Sequence, residues 1–213
     1  MTMTQIERRR LIDRLAQLGP EAPTLCEGWR AQDLLAHLIR REIIPHAVIG
    51  SWMPSRIGEA ASKMLSDLDE ASWEEMLEMF ASGRPSFSPL RIGAIDSVVN
   101  TLEYVIHTED LNRAQTPPII EAYSDEEQRH VFSRLGTMAQ LIFARSPVTV
   151  RLNAGTFGTK EMLISKRNDS AVTILGEPVE LALWSFGRDE AADVSFEGSE
   201  DDIEAMKASR MKI

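Results

Sequence analysis

The stretch Ser88-Pro-Leu-Arg-Ile-Gly-Ala-Ile-Asp-Ser-Val-Val-Asn-Thr-Leu-Glu-Tyr-Val-Ile-His-Thr-Glu-Asp-Leu-Asn-Arg-Ala114 decides how this chain folds. A serine followed by proline is a helix start, with Ser88 as N-cap and Pro89 at the first helical position. Pro117-Pro118 sets the far limit, so one long helix is predicted to run to about Ala114. Lys and Arg are absent between Arg91 and Arg113, unlike a helix with a solvated face. At about 100° per residue, Asp96, Asn100, Glu103, His107 and Asp110 fall within about 80° of arc. Ile95, Val99, Leu102 and Ile106 border that line, and Gly93, Ser97, Thr101, Tyr104 and Thr108 form an uncharged opposite flank. A polar line set among such neighbours is expected to turn partly inward. A carboxylate buried there costs several kcal/mol (roughly) unless it is paired or bound to a cation.

Working outward toward the N-terminus, Ile6, Leu11, Ile12, Leu15 and Leu18 recur at helical spacing until Gly19-Pro20. After the loop at Pro23, a second helix is predicted from near Arg30, carrying Leu34, Leu35, Leu38, Ile39 and Ile43, with Pro45 ending or kinking it. Residues 56–82 read as two helices, because Ser72 and Glu75 form a capping box in their midst. Toward the C-terminus, Ser124 with Glu127 opens a fifth long helix carrying Val131, Phe132, Leu135, Met138, Ile142 and Phe143.

At Pro147 the hydrophobic period changes. Val148, Val150 and Leu152 alternate with Thr149, Arg151 and Asn153, as in a half-buried strand. Met162–Lys166 and Ala171–Leu175 read as a hairpin around Asn168-Asp169. Pro178–Phe186 reads as a short apolar helix, Asp193–Phe196 as a strand and Ser199–Ser209 as a closing helix. The expected fold is mainly α: an up-down helical bundle over 1–145, with a small α+β C-terminal domain over 147–213.

Composition narrows the function. The 213 residues hold 23 Lys and Arg against 33 Asp and Glu, a net charge of −10. That balance disfavours nucleic-acid or anionic-membrane partners, whose phosphates need a cationic face. Cys26, the one cysteine, rules out an internal disulfide and a multi-cysteine zinc knuckle. With no targeting segment and no apolar run of membrane-spanning length, a cytoplasmic protein is expected.

Glu103 and His107 stand four residues apart, so their donor atoms can meet at one point, although an exposed Glu–His pair has the same spacing. His37, beside Leu34 and Leu38 with Asp33 a turn behind it, reads as a satisfied core histidine or as a third donor. As a donor it completes a His2Glu set with room for exogenous ligands, typical of catalytic zinc and admissible for nickel or iron.

Two segments carry a family resemblance. Pro23-Thr24-Leu25-Cys26-Glu27-Gly28-Trp29 followed by Asp33-Leu34-Leu35-Ala36-His37-Leu38 resembles the first loop and second helix of the mycothiol-dependent maleylpyruvate isomerases, within the broader DinB-like bundles. Asn100-x-x-Glu103-x-x-x-His107-x-x-Asp110 resembles the metal-binding helix of the same family. The resemblance implies a DinB-like bundle with a sterol-carrier-like C-terminal domain. It implies His37, Glu103 and His107 as ligands of a divalent ion, Zn2+ first and Ni2+ or Fe2+ also possible. It further implies a low-molecular-weight thiol such as mycothiol as cofactor and an electrophilic small-molecule substrate. Asn100 and Asp110 would then orient a histidine or a bound water, and Arg188 is the candidate to hold an anionic substrate.

The expected activity is therefore a metal- and thiol-dependent transferase or isomerase; the alternative is a non-catalytic metal- or small-molecule-binding protein. Other polar residues read more simply. Cys26 reads as a small buried hydrophobe, Trp29 as a core anchor ahead of the second helix, and His46 and His130 as histidines without convergent partners in sequence. Gly155-x-x-Gly158 lacks the lysine and helix of a phosphate-binding loop.

Overall fold

The computed structural model describes residues 2–43, 55–83, 93–163 and 170–210. Over these it has eight α-helices and one four-stranded sheet: α1 (Met3–Leu18), α2 (Ala31–Ile43), α3 (Ser55–Glu70), α4 (Trp73–Ser82), α5 (Gly93–Arg113), α6 (Asp125–Ile142), β1 (Thr149–Asn153), β2 (Thr159–Leu163), β3 (Ala171–Leu175), α7 (Pro178–Ser185), β4 (Ser195–Glu197) and α8 (Glu200–Ser209). The fold is mainly α with a small α+β part at the C-terminal end.

Local chemistry sets the helix ends. Ser72 and Ser124 each accept the backbone N–H three residues on, while Glu75 and Glu127 accept the serine N–H in return. Hydrogen bonding from the Ser72 backbone N–H, and next from its side chain, holds the Glu75 carboxyl below its usual pKa. Thr2 and Gln5 make a third box ahead of α1, which Gly19 ends at φ +81°. The expected start at Ser88-Pro89 and the expected break at Pro45 lie outside the described residues, as does His46.

The chain divides into two compact units, residues 1–97 with 107–120 and residues 98–106 with 121–213. In the first, α2 packs on α4 and α3, and α1 packs on α4 and α2. Leu11, Leu15, Leu34, Leu35, Leu38 and Phe80 fill its interior. Charge is buried there too. Glu42 accepts from Arg8 at 2.9 Å, and Glu7, fully buried, pairs with Arg10.

The second unit packs α6 against α7 and β2, and α8 against β3. Val131, Leu135, Ile142, Phe143, Val150, Leu152, Val172, Ile174, Leu181 and Trp184 share one apolar core with Leu102, Val105 and Ile106 of α5. Contact thus groups α6 with the sheet, whereas the change of hydrophobic period falls later, at Pro147. The period marks where strands begin; the packing marks which helices cover them.

The sheet order is β2-β1-β3-β4. This corrects the hairpin expected between Met162–Lys166 and Ala171–Leu175. β2 pairs antiparallel with β1, and β3 runs parallel to β1 on its other side. The tight connection is 154–158, where Gly155 and Gly158 take φ +58° and +107° and the Ala154 N–H donates to the Gly158 carbonyl at 2.8 Å. β1 takes an inner position because Val150 and Leu152 are fully buried.

Candidate metal centre

The site grows from the loop ahead of α2. The Trp29 N–H donates to the Cys26 carbonyl at 3.0 Å, closing a turn in which Gly28 has φ +76°. Glycine is the residue that most readily takes that conformation at the third position of such a turn. The Thr24 hydroxyl accepts the Cys26 N–H at 3.1 Å and donates to the Trp29 carbonyl at 2.9 Å. The Asp33 carboxylate accepts the Arg30 N–H at 2.9 Å, so this acid secures the start of α2.

Hydrogen bonds tie the loop to the C-terminal end of α5 and to the residues just after it. The Leu25 N–H donates to the Asp110 carbonyl at 3.0 Å, and Gln115 Nε2 donates to the Pro23 carbonyl at 3.1 Å. The third comes from Cys26, whose Sγ–H donates to Asp110 Oδ2 at 3.3 Å.

From Asn100 to Asn112 helix α5 is buried all round, with Glu103 partly exposed. The polar line does turn inward: Asn100 and Asp110 are fully buried and His107 nearly so. The opposite flank, Thr101, Tyr104 and Thr108, is buried as well, and so is Glu109, which accepts from Arg113 Nε at 2.7 Å and Asn112 Nδ2 at 3.1 Å. The Asp96 side chain lies outside the described set.

Two ring nitrogens distinguish the roles of His107. Nδ1 lies 2.8 Å from Asp110 Oδ2. Facing an ionised carboxylate, which only accepts, a neutral His107 would carry its proton on Nδ1 and present Nε2 as the donor atom. His37, on α2, meets His107 with ring centroids 5.8 Å apart at 74°. Each of His37, Glu103 and His107 offers one donor atom, and these lie within 4.8 Å of one another. Cys26, His107 and Asp110 form a second such group. Two imidazoles and one carboxylate suit a borderline divalent ion, and a carboxylate behind one imidazole is the usual support of a metal-ligating histidine. The donor set fits a metal.

Trp29 is not the core anchor expected. It is 37% exposed, and its indole lies against His37 with centroids 5.0 Å apart at 52°. The Gly28 turn carries it out of the apolar interior and onto the histidine. Arg188 belongs to the second unit, where its guanidinium donates to the Phe186 carbonyl at 2.7 Å. His130 gains a partner one helical turn on, accepting from Arg134 Nε at 3.3 Å; burial first, then the Arg134 charge, lowers its pKa. Sequence reading missed both loop contacts to the centre, Cys26 with Asp110 and Trp29 with His37. The one available signal was that Gly28 permits a sharp turn between them.

No described helix is long and apolar enough to cross a membrane. No protein-family model matches the chain, and no curated protein sequence matches it. Among solved structures, the crystal structure of a mycothiol-dependent maleylpyruvate isomerase is similar, with a TM-score of 0.55 and 15% identity over 92% of this chain and 91% of that one. A histidine-to-alanine mutant of that isomerase gives a TM-score of 0.53 and 14% identity over 91% and 90%. The likeness is one of fold.

Proposed function

We propose that His37, Glu103 and His107 hold one divalent ion, Zn2+ by preference, and that the chain is a thiol-dependent transferase or isomerase. Its cofactor in this reading is a low-molecular-weight thiol such as mycothiol, and its substrate a small electrophile met in the cytoplasm. The observation that carries the proposal is the convergence of the three donor atoms within 4.8 Å. The isomerase fold supports the choice of chemistry.

Two neutral imidazoles and one carboxylate leave a divalent ion with a net charge of +1. When bound, such an ion acidifies a thiol, so that a nucleophilic thiolate is available at neutral pH. The chain's own groups do the rest. Asp110 is hydrogen-bonded to His107 Nδ1 and orients the ring. Trp29 shields one side of His37 from water. Asn100 is assigned a supporting hydrogen bond near Glu103, and Arg188 an anionic group of the substrate. The division into a bundle over 1–145 and a sterol-carrier-like part over 147–213 belongs to the same proposal.

A second reading rests on Cys26. Its Sγ shares a donor group with His107 and Asp110, and if it ligated the ion the site would be closed and structural. Cobalt decides between the two. Cobalt-loaded protein is expected to show sulfur-to-cobalt charge-transfer absorption only after a small thiol is added, and equally in wild type and Cys26→Ser. Absorption present without added thiol and lost in Cys26→Ser would establish the closed site and end the transferase reading.

A further inference from the structure

The proposed chemistry makes no use of Cys26, yet its thiol is engaged with the support of a candidate ligand. Asp110 Oδ2 accepts two bonds at once, from His107 Nδ1 at 2.8 Å and from Cys26 Sγ at 3.3 Å. The sulfur is partly buried and the carboxylate fully so. An aspartate carboxylate turns about its last torsion with only a broad two-fold preference, so each donor it accepts restricts its orientation. A second donor on the same oxygen narrows that rotation. The Thr24 hydroxyl, the Gly28 turn and the Leu25 bond to the Asp110 carbonyl fix where the sulfur arrives.

We infer that Cys26 is a positioning residue: its S–H locks the Asp110 carboxylate, which in turn fixes the orientation of the His107 ring. This inference rests on the metal-centre reading above and deepens it. Cys26 touches neither ion nor substrate in this arrangement. It acts across 84 residues of sequence through one oxygen atom.

The test is a cobalt titration of the full chain as wild type, Cys26→Ala, Cys26→Ser, Asp110→Ala and the Cys26→Ala/Asp110→Ala double variant. A thiol is a weak donor, so Cys26→Ala is expected to weaken cobalt binding by about 3- to 10-fold. Cys26→Ser, which keeps a donor, should return to within about twofold of wild type, a rescue that lost packing alone would not give. On the Asp110→Ala background, Cys26→Ala should add nothing, because both changes remove the same restraint. Nitrogen-15 spectra of the imidazoles in metal-free protein supply a readout independent of the ion and of Asp110→Ala folding: Cys26→Ala should shift the His107 Nδ1 signal and Cys26→Ser should not. Unchanged affinity with an unchanged ring signal in Cys26→Ala overturns the inference. So does a full Cys26→Ala effect on the Asp110→Ala background, or a sulfur-to-cobalt band lost in Cys26→Ser. A wild-type chain that binds no cobalt sinks the metal reading instead, and the ring signal then decides for or against Cys26 alone.

Discussion

The two units bury polar chemistry in opposite ways. In the first, the buried polar residues include Glu7, Arg41, Glu42, His107, Glu109 and Asp110. Among the described residues of the second they are Asn100, Thr101, Gln128, Ser146, Thr149 and Ser185, all uncharged, around an apolar core. Helix α5 contributes to both, giving Leu102, Val105 and Ile106 to the apolar core and His107 to Asn112 to the charged interior. Desolvating an ion is costly, and replacing a buried ion pair by apolar side chains is often neutral or stabilising. Stability therefore does not explain why one unit keeps so many charges. The contrast teaches that the buried charges of the first unit serve something other than stability, whereas the apolar core of the second supplies folding energy.

The strongest way to break that contrast is through Trp184. It stacks on Phe143 at 6.2 Å, meets Phe196 edge-on at 5.2 Å and lies under the Arg210 guanidinium at 4.2 Å. Trp184→Ala is expected to cost about 3–5 kcal/mol in urea unfolding, while the molecules still folded bind cobalt with wild-type affinity. Equal damage to binding would show that function leans on the apolar core as well.

The next effect runs the other way. His107→Ala should remove most bound metal, on the order of a hundredfold in affinity, with circular dichroism retaining the helices. In wild type, protons compete with the ion for both imidazoles. Affinity should thus hold at pH 8 and fall by roughly tenfold or more per unit once pH drops below about 6.5, the ordinary histidine value. Binding that stays flat from pH 8 to pH 5 would remove the histidines from the ligand set. Unfolding of His107→Ala would instead make this residue part of the core.

The smallest effect sharpens the comparison. Ser124→Ala removes the cap of α6 in the second unit and should cost about 1 kcal/mol of stability, measured in urea, with metal affinity unmoved. A loss of affinity there would tie the cap to the centre.

What was legible in the sequence was local. The Ser72 and Ser124 boxes need only residues three positions apart, and both form as expected. The inward line on α5 followed from the helical period, since Asn100, His107 and Asp110 fall on one arc. Strand pairing was not legible, because it depends on which strand can be covered on both sides. Asn168-Asp169 looked like the hairpin turn, while the glycines at 155 and 158 held the real one. For the centre, His37, Glu103 and His107 could be nominated from spacing and resemblance. The Cys26–Asp110 bond could not, since no period links residues so far apart. Trp29 misled because a large apolar side chain ahead of a helix normally packs inward, and here a single positive φ at Gly28 redirects it.

The burial of α5 from Asn100 to Asn112 also has a meaning in time. Amide protons in such a segment meet water only when the helix comes away from everything around it, so they exchange on the timescale of the largest openings the protein makes. Glu103 and His107 thus ride on one of the slowest parts of the chain, with a separation that ordinary breathing leaves intact. The loop over 23–29, with Glu27, Gly28 and Trp29 exposed, lies nearer solvent.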